Sequence, residues 1–184
     1  TGLANSIKLD CTTADTSIAA DELTIIGQSI EGQNLQTVQK GTSSAVPITV
    51  SFYAKANASA TYVAELFDHD NTRNNTRAFT VGTDWARVEL TFIPDTTGTL
   101  DDDNAASLTF QIWLHAGSTY SGGTFSDNTW QSVTAANRYA GSRTSIFDST
   151  SRELFLTGLQ LEVGQNPTEF EHIKFQDELI KCYR

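Results

Sequence analysis

Basic residues are scarce in this chain: 12 Lys and Arg stand against 22 Asp and Glu, giving a formal net charge of -10 over 184 residues. Sequence-independent nucleic-acid binding needs a positive footprint, and docking on an anionic bilayer needs a basic patch, so neither partner is expected. Long apolar runs are missing too; nothing approaches the roughly 20 residues of a membrane-spanning helix, and no membrane insertion is expected. The acidic balance is explained by solubility alone. Only two cysteines occur, Cys11 and Cys182, at opposite ends of the sequence. That is no disulfide scaffold, and a chain this long buries roughly 70% of its unfolded surface without one. Two unpaired thiols are the expectation, and a bridge between the first and last elements is the alternative. Methionine is absent and the first residue is Thr1, so a piece of a longer protein is expected.

Enzyme signatures are equally thin. The three histidines, His69, His115 and His172, show no metal-ligand spacing such as His-Glu-x-x-His. There is no Gly-x-Ser-x-Gly elbow and no phosphate-binding glycine motif. Glycosidases need two facing carboxylates, whereas Glu65 and Glu89 stand singly on polar strand faces. No catalytic residue is assigned, and no cofactor is required. The clusters Asp68-His69-Asp70-Asn71 and Asp101-Asp102-Asp103-Asn104 hold oxygen ligands suited to Ca²⁺, without the EF-hand spacing. Solvated loop charge is the expectation there, with a structural calcium as the alternative.

Strand periodicity is plentiful. Ile48, Val50, Phe52 and Ala54 alternate with Thr49, Ser51, Tyr53 and Lys55. Ala86, Val88, Leu90 and Phe92 alternate with Trp85, Arg87, Glu89 and Thr91 across 84–93. Leu108, Phe110, Ile112 and Leu114 form one face of the most regular strand, 106–114. Shorter strands are expected at 6–11, 22–28, 61–67, 78–81 and 144–147, with 68–77 a polar loop. The closing strand starts at Leu154, with Phe155, Leu159, Leu161 and Val163 on one parity and Gln160 and Glu162 on the other. Gly164 ends that pattern, and Pro167 excludes a central ladder position. Helix is expected only within 34–40 and 175–182. About eight or nine strands and no long helical period predict an all-β protein: a β-sandwich or jelly roll with a short C-terminal helix or extended tail, as one domain over 1–184. Residues 117–143, rich in Gly, Ser, Thr and Asn, are too long for an idle loop and imply either function or a hidden strand.

A resemblance runs through nearly the whole chain. It is carried by Gly158-Leu159-Gln160-Leu161-Glu162-Val163-Gly164, Pro167-Thr168-Glu169-Phe170-Glu171-His172 and Glu178-Leu179-x-x-Cys182. Weaker pieces are Ile30-Glu31-Gly32-Gln33-Asn34, Gly41-Thr42, 50–55 and Asp95-Thr96-Thr97-Gly98-Thr99. The chain resembles the C-terminal jelly-roll domains of phage tail-fibre and related virion proteins, which are similar to carbohydrate-binding modules. Members end in a Cys-Gln-Arg-Tyr-Tyr-like run, which here is only Cys182-Tyr183-Arg184. The resemblance implies a virion location, other virion proteins as partners, a homotrimer, and attachment to a host cell-surface glycan without catalysis. A purely structural oligomerisation or decoration module is the alternative, and a glycan-degrading enzyme comes third.

The expected glycan site lies on the polar parity of strand 106–114, where Gln111, Trp113 and His115 follow Thr109. A pyranose presents an apolar C–H face to an aromatic ring and hydroxyls to amide and imidazole groups. Tyr53 and Trp85 occupy the same parity of their own strands and extend the platform. Tyr120 and Trp130 offer a binding loop or its anchors. The competing reading is a Trp113 covered by residues 117–143, its N–H satisfied by a backbone carbonyl.

Overall fold

Alternation of apolar and polar residues places the strands, and the computed structural model describes residues 2–183, apart from the side chains of residues 178, 181 and 182. The strands are β1 Ile7–Asp10, β2 Leu23–Glu31, β3 Ile48–Ala56, β4 Ala60–Asp68, β5 Arg73–Val81, β6 Ala86–Phe92, β7 Ala106–Ala116, β8 Gln131–Ser132 and β9 Glu153–Val163. They form two antiparallel sheets, ordered β1-β9-β3-β6 and β2-β7-β4-β5-β8. This is the β-sandwich with jelly-roll character that the strand pattern predicts. Helix α2, Phe175–Cys182, is the expected short C-terminal helix. The bridge between Cys11 and Cys182 lies outside the described residues, since it needs the Cys182 side chain; Cys11 is buried and its thiol donates to the Thr13 carbonyl.

The main core fills the space between the sheets. Val50, Phe52, Leu66, Leu90, Phe92, Phe110, Ile112, Leu114 and Leu154 are buried together, with Val88 packed against them. Phe52 and Phe79 meet edge to face at 5.3 Å. The inward faces expected for β3 and β7 are therefore the observed ones, and so is that of β6 apart from Ala86, which is exposed.

Four expectations need correction. Residues 73–77 belong to β5 rather than to a loop, because they continue the β4 ladder and some of their polar side chains find partners: Asn74 donates to Glu65, and Thr76 to the Ser126 carbonyl. Residues 144–147 form no strand; Thr144 and Ile146 donate singly to the Thr61 and Leu114 carbonyls. Helical turns also occur within 117–143, as α1 Ser118–Ser121 and a 3-10 turn at Ala135–Asn137. The same segment contributes β8, the hidden strand that its length implied.

The last correction concerns β9. Its register against β3 slips between Ser51 and Tyr53, which pair with Gln160 and Thr157. Gly158, at φ +61°, forms this bulge, where a Cβ would stand 2.5 Å from Leu3 Cδ1 and 3.4 Å from the Tyr53 ring. One extra residue flips every side chain beyond it. Leu154 and Leu156 therefore point into the core before the bulge and Leu161 packs on it afterwards, while Phe155 faces outward.

Candidate functional site

Gln111, Trp113 and His115 do not form an open platform: they are 5%, 1% and 2% exposed. Parity places them on the outer face of the five-stranded sheet, but residues 117–143 fold over that face. Tyr139 stacks on the Trp113 ring at 6.2 Å and Tyr120 tilts against it at 5.5 Å. Val63, Trp113 and Tyr139 make a second small core. At its centre lies Glu65, fully buried, which accepts hydrogen bonds from Trp113 Nε1 at 2.6 Å, Asn74 Nδ2 at 2.6 Å, and the Gln111 amide. Arg138 donates to both Glu65 oxygens, at 3.0 and 2.9 Å, and its guanidinium covers the Trp113 and Phe67 rings. The covering segment thus brings its own countercharge, and the Trp113 N–H is satisfied by a carboxylate. Trp130 anchors the same segment by donating to the Ile93 carbonyl at 2.7 Å.

The other expected residues lie on the opposite side of the molecule. Tyr53 points outward from β3, and Trp85 immediately precedes β6. Both are half-buried, and they share the outer face of the four-stranded sheet with Phe155, which the bulge turns outward. Register places Lys8 beside Phe155 and Phe155 beside Lys55. Lys55 Nζ lies 4.7 Å from the Phe155 ring and 5.5 Å from the Trp85 ring; the two rings meet edge to face at 6.3 Å. Lys8 Nζ flanks Phe155 at 5.7 Å and pairs with Glu153 at 2.6 Å. A cavity of about 280 Å³ opens over this row, lined by Leu3, Asn5, Lys55, Trp85, Phe155 and Thr157. The structure therefore separates Tyr53 and Trp85 from Gln111, Trp113 and His115. It adds Phe155 and Lys55, which strand parity without the bulge had placed on opposite faces.

Beyond Tyr53 the same face is covered by residues 164–171. Thr49 Oγ1 donates to the Gly164 carbonyl at 2.7 Å, and Thr91 Oγ1 to the Gln165 carbonyl at 3.1 Å. Arg87 donates to the Thr168 carbonyl, while Thr168 donates its N–H and hydroxyl to Glu162. Desolvation tends to raise the Glu162 carboxyl, but hydrogen bonds from Thr168 and Gln160 outweigh it and hold the group below the ordinary carboxylate range. Glu171 N–H closes onto Gln160 Oε1 at 2.8 Å. Residues 164–171 are thus a strap tied to the sheet.

The acidic loops at one end of the sandwich are occupied by the chain itself. Lys40 Nζ, with a side chain only 2% exposed, sits 2.6 Å from Asp68 Oδ2 and 3.1 Å from Asp95 Oδ2. It donates to the Thr97 and Gly98 carbonyls at 2.9 and 2.8 Å. Four oxygens therefore surround one ammonium. Arg73 grips the same Asp95 through Nε and Nη2 at 2.8 and 3.1 Å. Asp70 Oδ2 accepts the Asp101 N–H, and Asp103 Oδ1 the Ala105 N–H. Solvated loop charge is therefore found at Asp101, Asp102 and Asp103, which are exposed, but not at Asp68, which is buried against Lys40. Among the described residues no helix is long and apolar enough to cross a membrane.

No family model matches the chain, and no curated protein matches it. Among solved structures it is similar to one presented as "CBM4 structure and function", with a TM-score of 0.41 and 12% identity, over 82% of this chain and 66% of that one.

Proposed function

We propose that the chain is a non-catalytic jelly-roll domain of a phage virion, of tail-fibre type, that attaches to host-surface glycans. The observation that carries the glycan reading is the row Phe155–Lys55–Trp85 beside Tyr53, half-buried on one sheet face beneath a cavity. A sugar ring stacks its C–H face on such rings, and an ammonium held between them donates to a hydroxyl at the ring edge. The site moves from Gln111, Trp113 and His115, which are buried inside the protein, to Tyr53, Lys55, Trp85 and Phe155. The virion reading rests on the sequence resemblance, whose residues Gly158, Gln160, Glu162 and Thr168 build the bulge and the strap. One aromatic stacking contact contributes on the order of 1 kcal/mol beyond area burial, so single sites bind in the millimolar to micromolar range. A homotrimer multiplies such weak sites through effective concentration. The test is a screen of the purified chain against glycan panels and host cells; retention on a defined glycan class supports the reading, and no retention by a trimerised form removes it.

The second reading is a homotrimeric assembly module. It is favoured by an apolar opening of about 500 Å³ between the edge strands β1 and β2, lined by Ile7, Ile26, Phe110, Ile112, Leu156 and Leu159. Ile7 and Leu159 are exposed there, surface that a second copy would bury. Light scattering should give a trimer mass at micromolar concentration. A monomer mass throughout would remove this opening as a self-sufficient interface.

A further inference from the structure

The glycan reading does not use the Trp113 side of the molecule, where one ring nitrogen of a buried histidine lacks a hydrogen-bond partner. His115 is 2% exposed, with Nδ1 2.7 Å from Ser145 Oγ and its ring edge-on to Phe147. Its Nε2 is buried and makes no hydrogen bond. That nitrogen faces Glu22 Oε2 at 3.8 Å, too far for a hydrogen bond. Unpartnered buried polar atoms are rare and call for an explanation.

The chain assembles the surroundings from distant pieces. Thr24 pairs with His115 in the β2–β7 ladder, which brings Glu22, just before β2, to the end of β7. The loop before it returns to the same point: Asp15 N–H donates to the Phe147 carbonyl, and Ala19 N–H to Glu22 Oε2. One ligand atom each from Asp15, Glu22 and His115 lies within 4.8 Å of the other two.

We propose that Asp15, Glu22 and His115 bind a divalent transition-metal ion, with Zn²⁺ the ion best suited to them. One imidazole and two carboxylates form a borderline donor set, whereas Ca²⁺ takes six to eight oxygens. Two carboxylates also neutralise the charge of a divalent cation. Ligands about 2.0–2.1 Å from a tetrahedral zinc lie about 3.4 Å apart. The His115–Glu22 pair, at 3.8 Å, is near that spacing, and the Glu22 side chain, 41% exposed, has room to close it. The ring is already supported: Ser145 Oγ accepts the Phe147 N–H, and accepting Nδ1–H as well leaves the Nε2 lone pair aimed at the carboxylates. Three protein ligands leave a fourth position for water. The bound ion would tie the loop that carries Asp15 to the end of the five-stranded sheet, and it requires nothing of the glycan reading.

The test is a calorimetric titration of the chelator-treated chain with zinc chloride, paired with visible spectra after Co²⁺ loading. One Zn²⁺ per chain and cobalt d–d bands of four- or five-coordinate type are expected. Glu22→Gln and Asp15→Asn should each weaken Zn²⁺ binding at least tenfold while leaving the metal-free melting temperature unchanged. His115→Gln should remove the cobalt bands. No stoichiometric binding would overturn the proposal. So would binding that survives Glu22→Gln and Asp15→Asn, or binding lost instead with His172→Ala.

Discussion

Trp113 carries an apolar ring and a single N–H, and the protein consumes both internally. The ring is closed over by Tyr120, Tyr139 and Arg138, and the N–H ends on Glu65. Trp113→Ala should therefore cost about 3–5 kcal/mol through the cavity it leaves. Urea unfolding read by far-UV circular dichroism checks this; a cost under about 1 kcal/mol would mean that the covering segment is loosely held. Parity alone put Trp113 on the outer face of its sheet, and that part was legible. What parity lacks is any account of whether a face is covered. The covering residue that decides it, Arg138, sits far along the chain and carries no periodic signal.

At the level of elements, β9 shows how one residue redirects a site. Its apolar residues were readable as a strand, but Phe155 and Leu161 have the same parity and yet lie on opposite faces. A glycine inside a strand is itself a bulge signal, and applying it at Gly158 would have turned Phe155 outward. The loops around Lys40 illustrate the complementary case. Asp68 and Asp95 were visible as acidic positions, but nothing local links either to a lysine so far upstream. Burial tends to raise the Asp95 carboxyl, yet Arg73, the Thr97 N–H and Lys40 together hold it below the ordinary carboxylate value. A depressed folded-state value means stability that is present above the unfolded value and lost as pH falls through the folded one. The chain should therefore lose stability steadily below about pH 4. In Asp95→Asn, already less stable at neutral pH, this acid-side slope should be shallower. Denaturant midpoints between pH 7 and pH 2 measure it, and parallel curves for the two proteins would remove Asp95 from the acid response.

Over the whole molecule, the two faces of the sandwich have different fates. The outer face of the five-stranded sheet is covered around Trp113 by residues 117–143, with the Glu65–Arg138 pair at the centre. The outer face of the four-stranded sheet is strapped at one end and leaves aromatic rings and an ammonium accessible at the other. The sandwich itself was legible because alternation sets it strand by strand. The sites were only partly so, because Lys8, Lys55, Trp85 and Phe155 meet through strand order, and strand order is a property of the completed sheet. The most direct test of the account is the binding of wild type, Trp85→Ala and Trp113→Phe to the same immobilised host glycan, each with its melting temperature. The account predicts that Trp85→Ala loses binding at least tenfold with its melting temperature nearly unchanged, while Trp113→Phe melts lower yet binds like wild type when folded. Undiminished binding by Trp85→Ala, with loss of binding in folded Trp113→Phe, would contradict it.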